Sequence, residues 1–160
     1  MDTPHLLVVG DGPVADKLVE LASLLGWTAT AATDLDAATA ALPGPDAVVV
    51  TSHHDDVDAP AIAAALASGA AYVAAMGSRA RQARRREWLE VQRVPAEDLA
   101  RLHAPAGLDV GADGPGEIAL AILAEALGVL RGHPVAGSLR DRGGPIHPDV
   151  EPGTAYCPPG

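Results

Sequence analysis

The sequence predicts an α/β domain: a parallel sheet of about five strands with helices on both faces, followed by an extended C-terminal tail. Three observations carry that expectation. Short apolar runs, His5 to Val9 and Ala47 to Thr51 foremost, have the unbroken character of strands buried on both faces. Segments with helical apolar spacing separate them. Between the first strand and the first helix stands Gly10-Asp11-Gly12-Pro13-Val14-Ala15. That order of strand, glycine loop and helix is the signature of a Rossmann-like nucleotide fold.

The elements follow in turn. After Pro13, the residues Val14, Leu18, Leu21, Leu24 and Leu25 recur at helical spacing, and Gly26 ends the helix as a left-handed cap. Trp27 to Ala32 reads as the second strand. Asp34 or Asp36 caps a short helix through Ala41, and Pro43-Gly44-Pro45 turns the chain into the third strand, Ala47 to Thr51. A polar turn, Ser52 to Asp58, precedes an alanine-rich helix predicted for Pro60 to Ser68. Ala71 to Met76 is the fourth strand, and Ser78 to Val91 an arginine-dense helix. Pro95 opens a short helix to about His103, and Gly107 to Val110 is expected as the fifth strand. Pro115 to Leu130 is the last helix, with proline near its start as helices prefer. Beyond Gly132, Gly and Pro without periodicity suggest a tail, so the domain is drawn at 1–132 and the tail at 133–160. The second and third strands are joined by a short helix, which favours the strand order 2-1-3-4-5, with a crevice between strands one and three.

Composition narrows the function. With 160 residues and 48% apolar residues, the chain is long enough for one core that needs no disulfide or metal. A formal charge of -10 repels phosphate backbones, so nucleic acid is not an expected partner. The single cysteine, Cys157, rules out an internal disulfide and fits a reducing compartment. Pro158-Pro159-Gly160 follow it and nothing there lowers its pKa, so it reads as an inert tail thiol. The first residues lack a secretion signal and no run is long enough to span a membrane, so the cytoplasm is the expected location.

In the glycine loop each small residue has a task. Gly10 permits the tight turn, Gly12 lets a pyrophosphate approach the backbone, and Ala15 lets the helix pack close to the strand. The free N–H groups of the helix start then face the phosphate. Asp11 sets a negative charge beside it, while Pro13 and Val14 open the helix. About 20 residues further on, Asp34 first and Asp36 second suit either the ribose hydroxyls of a dinucleotide or the N-cap of the next helix.

Two later loops join the candidate site. Ser52 and His53 follow the third strand at the crevice, and His53 is the better placed of two adjacent histidines because it continues directly from that strand. The cluster Thr51 to Asp58 holds two His and three Asp, yet adjacent histidines in an extended turn point apart, and no metal site is assigned. Gly77-Ser78-Arg79 opens a helix after the fourth strand, adding free N–H groups and a guanidinium able to grip phosphate. The later arginines, Arg81 to Arg86, read as a solvated face paired with Glu87 and Glu90. No catalytic pair is evident.

Several stretches together resemble the C-terminal Rossmann domain of the XdhC/CoxI family. They are Val9 to Ala15, Tyr72 to Arg79, Pro105 to Ala112, Pro115 to Ala119 and Ile122 to Glu125. The likeness spans roughly residues 5 to 132. It implies an accessory protein that binds molybdenum cofactor, a pterin, protects it, and delivers it to a molybdenum hydroxylase apoenzyme of xanthine dehydrogenase or carbon monoxide dehydrogenase type. The chain departs from the family pattern at Thr33-Asp34, where two acidic residues are usual, and at Ala74-Ala75. Full-length members also have an upstream domain outside this likeness.

Two functional readings stand at this point. The first is a non-catalytic accessory protein holding molybdenum cofactor or a dinucleotide. The second is a small NAD(P)-dependent oxidoreductase using the same loop. The last helix is apolar almost all round, with Ile118, Leu120, Ile122, Leu123, Leu127, Val129 and Leu130, which suggests a homodimer.

Overall fold

Strands buried on both faces must send alternate side chains into two separate cores. The computed structural model, which describes residues 2–133, Gly137 and residues 139–141, has that arrangement. In chain order the elements are β1 (His5–Val9), α1 (Pro13–Leu24), β2 (Thr28–Ala32), α2 (Leu35–Ala40), β3 (Ala47–Val50), α3 (Asp55–Ala67), β4 (Tyr72–Ala75), α4 (Arg79–Val91), α5 (Ala96–Ala100), β5 (Leu102–His103) and α6 (Pro115–Leu130). A single 3-10 turn, Leu139–Asp141, follows. The tail expected over 133–160, Cys157 included, otherwise lies outside the described residues.

The five strands form one sheet in the order β2-β1-β3-β4-β5, and every neighbouring pair is parallel. Leu7, Val9, Val48, Val50, Val73 and Ala75 point into the core shared with α2 to α5. Leu6, Val8, Ala47, Val49, Tyr72 and Ala74 point the other way, beneath α1 and α6. The small residues Ala15, Ala22, Ala119 and Ala126 are buried in that second layer, which lets α1 and α6 sit close to the sheet. The sheet order reverses direction between β1 and β3, so the loops after these strands border the switch-point crevice.

Two expected elements differ. The alanine-rich helix begins at Asp55, five residues before Pro60. Acidic Asp55, Asp56 and Asp58 favour a helix N-terminus electrostatically, and the helix continues through Pro60, which has no N–H to give the carbonyl four residues before it. The fifth strand is Leu102–His103 and not Gly107 to Val110. Arg101 secures it by donating to Leu66 O at 2.9 Å and Ala70 O at 3.0 Å. The later segment instead lies along α6, where Leu108 N–H donates to Ala121 O.

Near the opposite end of the sheet, Tyr72 donates to Glu125 Oε1 at 3.1 Å and His103 Nδ1 meets the same oxygen at 2.7 Å. This polar cluster ties β4, β5 and α6 together. Burial, with the Glu125 carboxylate beside it, pushes the Tyr72 hydroxyl pKa far above the ordinary phenol value.

Candidate functional site

The site grows from the C-terminal ends of β1 and β3. β1 ends where Gly10 N–H donates to Ala32 O at 2.8 Å. Gly10 has φ +129°, and a Cβ there would stand 2.4 Å from Thr51 Oγ1 and 2.5 Å from Ser52 N. The loops after β1 and β3 are therefore in direct backbone contact, and only glycine fits between them. Gly12 differs. Its φ is +100°, but a Cβ there would meet no heavy atom within 4 Å. The space before the α1 N-terminus is open.

Gly12 is the N-cap of α1 and Pro13 its first residue, with Val14 half-buried and Ala15 buried. No side chain caps this helix start. Its first N–H groups have no intrahelical partner and lie beside the open approach at Gly12, an arrangement that takes an anion. Asp11 is exposed next to it.

Asp34 is the N-cap of α2, and its carboxylate accepts from Ala37 N–H at 2.8 Å. The capping role is realised, and the group remains exposed at the end of β2. Ser52 is buried: its N–H donates to Val9 O at 3.1 Å and its Oγ accepts from His54 N–H at 3.2 Å. It shapes the loop from within. His53 and His54 are exposed, with ring centroids 5.4 Å apart. Among the described residues no group of three or more His, Cys, Asp or Glu side chains is placed to hold a metal ion.

The third contributing loop differs from the sequence expectation. Ser78 caps α4 by accepting from Arg81 N–H at 3.2 Å, and Arg79 is exposed in the first turn. Arg81 and Arg85, expected on a solvated face, turn inward. Arg85 is 4% exposed, and its Nη2 donates to Asp58 Oδ2 at 2.7 Å and to Ser52 O at 3.1 Å. Its Nη1 donates to Met76 O. One guanidinium thus links the end of β3, the end of β4 and the first turn of α3. Arg81 Nη1 donates to His53 O at 3.1 Å and lies 3.5 Å from Asp55 Oδ1.

Gly77 makes room for both arginines, since a Cβ there would meet Arg81 Cδ at 2.9 Å and Arg85 Nη1 at 3.2 Å. The sequence held a signal for this. Counting back from the buried Leu89 by helical turns reaches Arg85 and then Arg81, which places both on the inward stripe. Arg86 does follow the expectation of a solvated pair, meeting Glu90 at 3.1 Å.

Residues 6–126 match the XdhC Rossmann domain. The chain belongs to the XdhC family. It is 30% identical over 167 aligned residues to the uncharacterized protein YqeB of Escherichia coli, an alignment that takes in 91% of this chain and 30% of YqeB. It is similar in fold to a crystal structure described as a xanthine dehydrogenase from Bacillus halodurans. The TM-score is 0.67 at 23% identity, with 86% of this chain and 45% of that chain covered. The chain therefore spans less than half the length of either relative.

In this XdhC domain the glycine loop and the two later loops lie along the same edge of the sheet. The arrangement offers open, uncapped helix starts at Gly12 and at Gly114, and an exposed guanidinium, Arg79, in the first turn of α4. Arg81 and Arg85 are occupied with the loops themselves.

Proposed function

We propose that this XdhC domain binds a pyrophosphate-bearing ligand at the N-terminus of α1 and acts as a non-catalytic accessory protein in the maturation of a molybdenum hydroxylase. The apoenzyme of xanthine dehydrogenase or carbon monoxide dehydrogenase type is its client, and molybdenum cofactor is its cargo. The observation that carries the reading is the open approach at Gly12 in a loop otherwise closed by backbone contact. That opening fits a phosphate, because uncapped N–H groups and the positive end of the α1 dipole border it. Membership in the XdhC family directs the choice among pyrophosphate ligands toward the pterin cofactor.

Within this reading Gly12, Val14 and Ala15 supply backbone contacts to phosphate. Gly10, Ser52 and Arg85 hold the loops at the correct separation. Arg79 adds a charge-assisted contact, and His53 and Asp34 border the crevice as polar walls. The bound cofactor brings the redox-active metal that the client enzyme uses. The chain's own residues bind and orient it. A cytoplasmic location agrees with such a role.

The test is mass spectrometry of small molecules released from gently purified protein, followed by reconstitution of an apo-hydroxylase with molybdenum cofactor in the presence and absence of the chain. A released pterin and a higher yield of active hydroxylase support the proposal. A released nicotinamide dinucleotide, with NAD(P)H-dependent turnover of about one per second or faster, would replace it with the oxidoreductase reading.

A further inference from the structure

The outward face of α6 is not absorbed by the fold. Five apolar residues of this helix are buried: Ala119, Ala121, Ile122, Leu123 and Ala126 are each at most 5% exposed. The flanking Ile118, Val129 and Leu130 also pack against the core. Leu120 and Leu127 remain 61% and 40% exposed. They are seven residues apart and lie on one stripe with Glu117, Ala124 and Arg131, the spacing of a helix-pairing seam.

The order of residues along this stripe is self-complementary. Ala124 lies midway between Glu117 and Arg131, seven residues from each, with Leu120 and Leu127 on either side. Glu117 and Arg131 are both exposed, and neither forms an ion pair among the described residues. One oxygen of Glu117 accepts from Asp113 N–H at 2.8 Å, which holds the side chain at the start of the helix. A two-fold axis at Ala124 would run two copies of α6 antiparallel. Leu120 of one copy then packs on Leu127 of the other, and Glu117 faces Arg131 at both ends.

We infer that α6 is a homodimer interface in which two copies of this chain pack antiparallel about Ala124, with crossed Glu117 to Arg131 ion pairs. The small side chain at the centre allows the axes to approach to about 8 Å. A closed, isologous contact of this kind covers the exposed leucines of both copies at once. It also has a consequence for the candidate site. The N-terminus of α6 is at the edge of the sheet that bears the crevice, so the antiparallel pairing directs the two crevices to opposite ends of the dimer. The interface does not depend on what the crevice binds.

The experiment uses sedimentation velocity on the 160-residue chain across micromolar concentrations. A dimer is expected, and Leu120→Glu with Leu127→Glu makes it a monomer. Glu117→Arg alone and Arg131→Glu alone each weaken dimerisation about tenfold or more. Combining the two restores the parent affinity. The combined variant also places charges against the α6 dipole, so its thermal midpoint stays low while its dimer affinity recovers, and this separates pairing between copies from stabilisation within one helix. In a Cys157→Ser background, Ala124→Cys forms a disulfide dimer on oxidation, whereas Leu120→Cys does not link to itself. A monomeric parent chain overturns the inference. So does a dimer that survives the paired leucine replacements, or one in which Leu120→Cys links to itself and Ala124→Cys does not.

Discussion

Asp58 in the first turn of α3 and Arg85 in the middle of α4 meet at 2.7 Å with side chains only 1% and 4% exposed. Their pairing binds the loops after β3 and β4 through Ser52 O and Met76 O. It is incompletely satisfied, since Asp58 Oδ1 and Arg85 Nε have no hydrogen-bond partner among the described residues. A buried pair of this kind contributes little beyond an apolar pair of similar size, but breaking it strands a charge.

Asp58→Ala therefore destabilises the domain by about 3 to 5 kcal/mol, the cost of an uncompensated buried guanidinium. Arg85→Met costs less, because Arg81 Nη1 still lies 3.7 Å from Asp58 Oδ2. Combining Arg85→Met with Asp58→Leu recovers most of the loss, because no charge remains buried. Guanidinium denaturation of the four proteins checks this. A double variant that loses the sum of the two single losses would show that the pair is not coupled.

The two glycines of the first loop separate stability from binding. Gly10→Ala drives a Cβ onto backbone at Ser52 and leaves the chain poorly folded. Gly12→Ala meets no neighbour, so its stability cost is the positive φ alone, about 1 to 3 kcal/mol. Its methyl group projects into the phosphate approach and lowers ligand affinity at least about tenfold. Calorimetric titration of the folded Gly12→Ala protein with the ligand identified by mass spectrometry decides it. Unchanged affinity would mean that the loop is only a turn.

Arg79 is exposed and is not needed to hold the loops. Arg79→Ala should leave stability within about 0.5 kcal/mol of the parent, while reducing cofactor delivery to the apo-hydroxylase. Arg79→Lys keeps the charge but not the bidentate grip, and restores delivery only in part. The readouts are thermal midpoint and hydroxylase activity.

Tyr72 gives the stability a pH dependence at the alkaline end. Its pKa is raised in the folded protein by burial and by Glu125, relative to the ordinary value of 10.0. The folded state thus binds the proton more tightly than the unfolded state. The associated stability is complete below about pH 10 and is lost progressively as pH rises above it. Tyr72→Phe removes this slope between pH 9 and 11, at a cost of about 1 kcal/mol near neutrality for the lost hydrogen bond to Glu125. Denaturation midpoints of both proteins across that range provide the measurement.

Sequence alone determined the alternation of strands and helices, the strand order and the glycine loop. These features follow from local periodicity and from residues such as Gly10, Pro13 and Pro115, whose backbone preferences act where they stand. The extent of α3 was less legible, because Pro60 suggested a helix start that the acidic residues before it had already made. Strand β5 was displaced for a related reason. An edge strand of two residues has too few side chains to show a period, and its position is decided by partners such as Ala74, opposite His103. The division of labour among the arginines was decided by tertiary structure. Arg79 and Arg85 are equally charged and lie on the same helix, and only the approach of Asp58, Ser52 O and Met76 O from other loops makes one of them buried while the other remains in water. A charge is buried where distant parts of the chain converge to satisfy it, and that convergence has no period along the sequence.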